Sequence, residues 1–254
     1  VLDYDKEAGR YDATRGGDAR ADAAAAAIAA LLPANAARLV DLACGTGIVT
    51  ARLAGPGLAV LGVDRSAGMA SVATRRLPGQ IIVADAARTP LRAGCADAVT
   101  IIWLLHLLGM DGSGPVIAEA ARVLRPGGLL ITTVDKNGAA GLAGDDISRV
   151  IWPVRAEADA DQRDADQCDA AGRVVSVAAA CGMQPWARTT FAGAGQGRSP
   201  SQCRAQLRDR RYGWAAEVGA DRVQRLDGEL AALPGQDRFR PDPVYTLLSL
   251  RKRA

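Results

Sequence analysis

Three carboxylates, Asp41, Asp64 and Asp85, each close a short apolar run, and a glycine-bearing turn, Cys44-Gly45-Thr46-Gly47, follows soon after the first. Gly45 and Gly47 carry no Cβ, so the backbone there can pass close to a ligand. A dinucleotide turn has the spacing Gly-x-Gly-x-x-Gly, but its third position is Thr50 here, and Asp41 places a negative charge where a pyrophosphate would be repelled. A cation suits Asp41 better. Asp64 follows roughly twenty residues later, where a carboxylate can accept hydrogen bonds from both hydroxyls of a ribose. Asp85, followed by the small Ala86, can accept from an adenine amino group and leaves room for the ring. Singly, each carboxylate reads as well as a helix cap or a strand end. Together they describe a site for a positively charged adenosine ligand.

The elements that must position these groups are legible in the hydrophobic pattern. Residues 38–43 form an apolar strand, the glycine turn follows, and 48–54 has helical character up to Gly55-Pro56-Gly57. A second strand, 58–63, ends at Asp64; Ser66 is placed to cap a helix through Arg76, stopped by Pro78-Gly79. Strands at 81–84, 98–103 and 129–134 continue the alternation, with a helix over 115–124 closed by Pro126-Gly127-Gly128. Strands that are apolar throughout and alternate with helices of about ten residues predict a parallel sheet covered on both faces, a doubly wound α/β domain. Ligands of such sheets sit beyond the carboxyl ends of the strands, where strand order reverses. Further along, 138–144 reads as a flexible connection, 145–169 as an acidic segment, 173–181 as a helix, 186–191 as a strand, 193–201 as a loop, 202–233 as a helical region and 244–250 as a last strand.

Composition bounds what this domain can do. With 49% hydrophobic and 23% charged residues in 254, the chain is an ordinary globular one, and collagenous, coiled-coil and disordered classes are excluded. Aromatics make up only 4%, so Ala, Val, Leu and Ile build the core. The single histidine, His106, excludes a multi-histidine zinc site, and no metal is expected. Cys44, Cys95, Cys168, Cys181 and Cys203 are odd in number and form no Cys-x-x-Cys pair, which favours a reducing cytoplasm over a disulfide framework. The net charge of +3 comes with only three lysines, Lys6, Lys136 and Lys252, and no basic stripe, so neither nucleic acid nor membrane is an expected partner. The apolar stretch 23–32 is too short to span a bilayer and reads as an Ala-rich helix.

The ordered runs VDLACGTGIVTARLA, VLGVDRSAGMASVA, VADAARTPL, CADAVTIIWLLHLL and EAARVLRPGGLLITTVD resemble the class I S-adenosylmethionine-dependent methyltransferases, in the small-molecule branch that includes ubiquinone and menaquinone biosynthesis enzymes. The resemblance covers residues 1–137. It implies a Rossmann-like, mostly parallel seven-stranded sheet with an N-terminal helical cap (1–33), a cofactor-binding half (34–137) and a substrate-shaping half with inserted helices (138–254) in one domain. It implies S-adenosylmethionine as cofactor and S-adenosylhomocysteine as product. Ala43, Gly45 and Gly47 would meet the methionine part, Asp41 its ammonium, Asp64 the ribose and Asp85 with Ala86 the adenine. Arg65 and Met69 would flank adenine or ribose, and the Ile102 and Trp103 backbone would lie near the sulfonium. The opening segment YDKEAGRYDATRGG would fold over the cofactor, with Tyr11 and Arg15 near its carboxylate and Tyr4 closer to the substrate mouth.

His106 follows the fourth strand in WLLHLL, where related sequences often carry His-His. A lone histidine in an apolar stretch is read either as a hydrogen-bonded structural residue or as a base or orienting group, since a near-neutral pKa suits proton removal. Methyl transfer needs no obligatory base, because the sulfonium is already activated and positioning with desolvation supplies much of the acceleration. The expected function is methyl transfer to oxygen or carbon, less to nitrogen, of a small acceptor in bacterial specialised metabolism. An NAD-dependent oxidoreductase and a non-catalytic S-adenosylmethionine-binding regulator are the alternatives. Trp152, Tyr212 and Trp214 stand as pocket aromatics or as core, and the acidic run 157–169 as a solvated face or an amine attractor.

Overall fold

The computed structural model of the protein describes residues 3–141, 145–158 and 168–253. Seven strands, β1 (Arg38–Leu42), β2 (Ala59–Asp64), β3 (Ile81–Val83), β4 (Ala96–Ile101), β5 (Leu124–Val134), β6 (Met183–Ala192) and β7 (Val244–Lys252), form one open sheet in the order β3-β2-β1-β4-β5-β7-β6. The first five are mutually parallel, whereas β7 runs antiparallel to both β5 and β6. After β3 the chain returns across β1 to lay down β4, so the switch point lies between β1 and β4. The crevice beyond their carboxyl ends is where such a sheet takes a ligand.

Every residue of β4 is buried and β1 is buried from Leu39 onward, as apolar strands covered on both faces must be. One layer of the core gathers Leu42, Val63, Val99, Ile117, Leu130 and Leu250; the other packs α3 (Gly17–Leu31) on the sheet through Ala21, Ala24, Ala25 and Ile28. Alanines at helical spacing bring that helix close to the strands, which is how a chain so poor in aromatics closes its interior. Helix α5 (Ala67–Arg76) begins where Ser66 Oγ accepts from the Met69 amide at 3.1 Å, the cap the sequence indicates. Helix α6 (Ser113–Val123) precedes β5 directly. Leu124 through Gly128 therefore belong to the strand and not to a helix stop, with Gly127 at φ +77° allowing the bend.

The C-terminal third departs most from expectation. Residues 136–141 are helical (α7, Lys136–Gly141) where a flexible connection is expected; residues 142–144 and 159–167, the latter carrying most of the acidic run, lie outside the described residues. The stretch 202–233 is not one helical region but three pieces, Pro200–Arg208, a short 3₁₀ turn Gly213–Ala216, and Ala220–Ala231. They break at Arg210, with φ +53°, and at Gly219, with φ +81°. With α8 (Asp146–Ala158) they form a separate apolar cluster of Ile147, Ile151, Val154, Leu207, Leu226 and Leu230. Among the described residues no helix is long and apolar enough to cross a membrane.

Candidate functional site

The strand ends carry the tension of the site. Among the described residues four non-glycines have positive φ, and three of them stand just beyond parallel strands: Ala43 (+67°) after β1, Trp103 (+55°) after β4 and Asp135 (+53°) after β5. Each such backbone costs about 1 kcal/mol or more and persists only where surrounding contacts hold it, as at ligand sites. Gly45 (+57°) and Gly47 (+70°) complete the turn after β1. A Cβ at Gly45 would meet nothing within 4 Å, so that face of the turn is open, whereas one at Gly47 would lie 3.1 Å from the Ala73 Cβ of α5. One glycine faces a cleft and the other lets the turn pack on a helix.

Asp64 locks this turn. Its Oδ2 accepts from the Gly45 amide at 2.7 Å and its Oδ1 from the Ser66 amide at 2.9 Å, so one carboxylate ties the end of β2 to the turn after β1. A carboxylate has about four acceptor sites. Two therefore stay open for hydroxyls of a nucleoside, and burial holds the Asp64 carboxyl above its usual range. Asp41, 3% exposed, accepts from Thr50 Oγ1 at 2.5 Å and Thr100 Oγ1 at 2.8 Å, and burial pushes its pKa up to about 6 despite both bonds. Thr50 thus has its own task in place of a third glycine. Asp85 is exposed beyond β3 and caps its own turn through the Ala87 amide at 2.8 Å, beside the half-buried Ala86. Met69 is buried at 2% exposure, and Arg65 is exposed.

Over these groups lies the N-terminal strap, α1 (Tyr4–Glu7) and α2 (Tyr11–Thr14), latched at two points. Asp5 Oδ1 accepts from Ser66 Oγ at 2.6 Å and the Gly68 amide at 2.8 Å; a Cβ on Gly68 would sit 2.7 Å from the Asp5 carbonyl oxygen, so only glycine admits this approach. Asp12 accepts from Thr46 Oγ1 at 2.6 Å and from Arg76 Nη2 at 2.7 Å, while Arg76 Nη1 donates to the Thr46 carbonyl at 2.7 Å. The strap is therefore fastened to the glycine turn itself. Tyr4 and Tyr11 have ring centroids 6.1 Å apart, and the Arg15 guanidinium stands 5.6 Å over the Tyr11 ring. Burial, with Tyr11 beside it, raises the Tyr4 phenol, while the charges of Arg15 and Arg65 oppose the rise.

Beyond β4 and β5 the surroundings change. Ile102 is buried at 8% exposure, and the Trp103 amide donates to Thr133 Oγ1 at 2.9 Å. The Trp103 ring packs against Phe191 and Tyr245 at 6.0 and 6.1 Å and carries the Arg20 guanidinium 3.9 Å over its face. His106 lies in the 3₁₀ turn Leu105–Leu107, 8% exposed, with its Nδ1 buried and unpartnered. Burial, with Lys136 and Arg15 nearby, drives its pKa down to about 2, so at neutral pH it is a neutral imidazole of low proton affinity that can orient a group by hydrogen bonding. Lys136 follows the strained Asp135, and burial with Arg15, Arg155 and Arg20 lowers its pKa to about 8. The sequence reading passes over Asp5, Asp12, Arg20 and Lys136 as site residues. Lys136 could have been found by the strand-end rule that found Asp41, Asp64 and Asp85, since β5 ends at Val134.

Residues 40–132 match the family described as "Methyltransferase domain". A demethylmenaquinone methyltransferase of Beutenbergia cavernae is 43% identical over 95 residues, 37% of this chain and 39% of the relative. The chain spans about two fifths of the length of the curated relatives it matches. Among solved structures, a candidate methyltransferase of Bacillus halodurans C-125 aligns with a TM-score of 0.58 at 19% identity, over 92% of this chain and 99% of that one. A geranyl diphosphate C-methyltransferase of Streptomyces coelicolor A3(2), solved with S-adenosyl-L-homocysteine, aligns with a TM-score of 0.50 at 15% identity, over 91% of this chain and 76% of that one. At these identities the structural likeness speaks for the fold.

Proposed function

We propose that this chain is a class I S-adenosylmethionine-dependent methyltransferase that moves a methyl group to a small-molecule acceptor, a reading the matched methyltransferase segment and the fold support. The observation that carries this reading is the Asp64 carboxylate, pinned to the open face of Gly45 at the mouth of the crevice, with the strap latched across the same turn. That arrangement fits a nucleoside: Asp64 keeps free acceptor sites for ribose hydroxyls, Asp85 and Ala86 flank the adenine position, and no Cβ obstructs the methionine part at Gly45. When bound, S-adenosylmethionine supplies an activated methyl on a sulfonium and leaves as S-adenosylhomocysteine.

The rest of the chemistry falls to residues of the chain. Trp103 and Ile102 wall the place beyond β4 where an acceptor would meet the methyl, and the charge of Arg15 on the strap bears on His106 and Lys136 beside it. His106 presents a neutral imidazole to position the acceptor, and the buried surroundings exclude water from the transfer. The acceptor gives up a proton to bulk solvent as its new bond to the methyl forms, since the His106 imidazole has too low a proton affinity to keep it; oxygen and carbon acceptors suit the apolar walls better than nitrogen. Several of the curated relatives are demethylmenaquinone methyltransferases, which supports a biosynthetic role. Isothermal titration with S-adenosylmethionine tests the reading. Binding that Asp64→Ala weakens strongly is the expected result; no binding, or binding indifferent to that substitution, refutes it.

A further inference from the structure

On the acceptor side of the crevice two cations, Arg20 and Lys136, have no carboxylate within ion-pair distance among the described residues. Arg20 is 7% exposed and lies on the Trp103 face, and among the described residues no carboxylate is within ion-pair distance of it. Lys136 opens α7, which packs on α8, and among the described residues its ammonium likewise has no carboxylate within ion-pair distance. The charges of Arg15 on the strap, Arg155 on α8 and Arg20 on α3 bear on Lys136, with Asp169 opposing them, and Lys136 bears in turn on the neutral His106. The two oxygens of Asp169, which is 1% exposed, are differently engaged: Oδ2 takes the Lys136 amide at 2.9 Å and Oδ1 is unpartnered. Buried cations without counter-charges are costly, and proteins retain them where a ligand supplies the missing charge.

A second observation points the same way. Between α8 and the inserted helices is a cavity of about 240 Å³ whose walls include Trp152, Arg155, Arg198, Arg211, Tyr212 and Trp214, three guanidinium groups and three aromatic rings with no carboxylate among its lining residues. The Tyr212 and Trp214 rings lie 5.4 Å apart there, and the Arg155 guanidinium lies 5.3 Å over the Trp152 ring. Arg155 belongs to both places, lining this cavity while its charge bears on Lys136. Flat rings beside planar guanidinium groups match a flat acceptor bearing a carboxylate or phosphate, since arginine pairs with such anions through two parallel hydrogen bonds.

We infer that the acceptor of this methyltransferase is an anionic, ring-bearing small molecule, its acidic group held by Lys136 and Arg155 and its ring by Trp152, Tyr212 and Trp214. This rests on the methyltransferase reading and deepens it. The amino-acid carboxylate of the cofactor is the other source of an anion, and the test separates the two. The protein is saturated with S-adenosylhomocysteine and titrated with benzoate, benzamide and benzylamine, for the wild type, Lys136→Gln and Arg155→Gln, with melting temperatures recorded for each. The expected result is benzoate binding about tenfold or more tighter than benzamide, a preference lost in both variants while their affinity for S-adenosylhomocysteine stays within about twofold of wild type. Benzoate bound no better than benzamide, or benzylamine preferred, overturns the inference. So does loss of S-adenosylhomocysteine binding in a folded Lys136→Gln protein, because the cations then serve the cofactor. Should Lys136→Gln fail to fold, Arg155→Gln decides by the same criteria. Failure of wild type to bind S-adenosylhomocysteine overturns the methyltransferase reading itself, and the acceptor class with it.

Discussion

Replacing Asp12 by alanine unfastens the strap from the glycine turn and leaves every strand in place. Asp12 and Arg76 are partly shielded, at 21% and 33% side-chain exposure, and Asp12 accepts two short hydrogen bonds, from Thr46 Oγ1 and Arg76 Nη2. Hydrogen bonds to charged groups contribute about 1.5–3 kcal/mol each. Partial exposure screens the ionic one towards the 0–1 kcal/mol typical of surface pairs, so the latch as a whole contributes about 2 kcal/mol to strap closure. At 1.4 kcal/mol per decade, a cofactor that must lie beneath the closed strap loses about tenfold to thirtyfold in affinity when the latch is cut. The loss should fall on the dissociation rate, which stopped-flow displacement of S-adenosylhomocysteine measures, while the melting temperature shifts little because the strap lies outside both main core clusters. Arg76→Ala should reproduce most of the effect, and the double variant should add little to it. A dissociation rate within about twofold of wild type, or a loss of binding only as large as the loss of folded protein, would refute a closing role for the latch.

Other outcomes follow from single contacts. Gly47→Val should destabilise the fold by about 2 kcal/mol or more in urea, because a φ of +70° meets a Cβ only 3.1 Å from Ala73. Gly45→Ala, at φ +57° with open space around it, should cost about 1 kcal/mol and act mainly on cofactor affinity; equal losses of stability at the two positions would contradict the roles assigned to them. Glu119 holds the Thr89 amide and hydroxyl and pairs with Arg122, and these contacts lower its pKa from 4.5 to about 2. A depressed carboxyl stabilises the fold above pH 4.5 and loses that contribution as pH falls towards 2, so Glu119→Gln should cost about 2 kcal/mol at pH 7, allowing for the screened Arg122, and progressively less in acid. With a His106 pKa near 2, the pH profile of methyl transfer should show no His106 limb between pH 6 and 7; such a limb in wild type that vanishes in His106→Asn would overturn the neutral-imidazole assignment.

The sheet was legible because its signal is local and repeated: buried parallel strands are apolar throughout, and Ser66, Gly55 and Pro78 punctuate them in the row of letters. The glycine turn and Asp64 were legible for the same reason, since each directly follows or ends an apolar strand, β1 and β2. The strap contacts were not, because Asp5 and Asp12 meet Ser66 and Thr46 across long sequence separations that no periodicity records. Arg20 escaped because a run of alanines hides which face of α3 is inward, so a buried arginine looks like a solubilising one. Residues 202–233 read as a helical region with no internal boundary, because the break at Arg210 needs a positive φ that nothing in an arginine announces.

The small apolar cluster of α8 and the inserted helices closes on itself, through Ile147, Ile151, Val154, Leu207, Leu226 and Leu230, apart from the two clusters that hold the sheet. The inserted helices are therefore stabilised by a cluster of their own. Residues facing the acceptor can be exchanged by mutation so long as their own cluster survives, while the strands that hold Asp41, Asp64 and Gly45 are left undisturbed. The matched methyltransferase segment ends at residue 132, before any of these helices begins. In the methyltransferase proposed here, the acceptor side can thus be altered within one module while the strand ends that would hold the cofactor are kept.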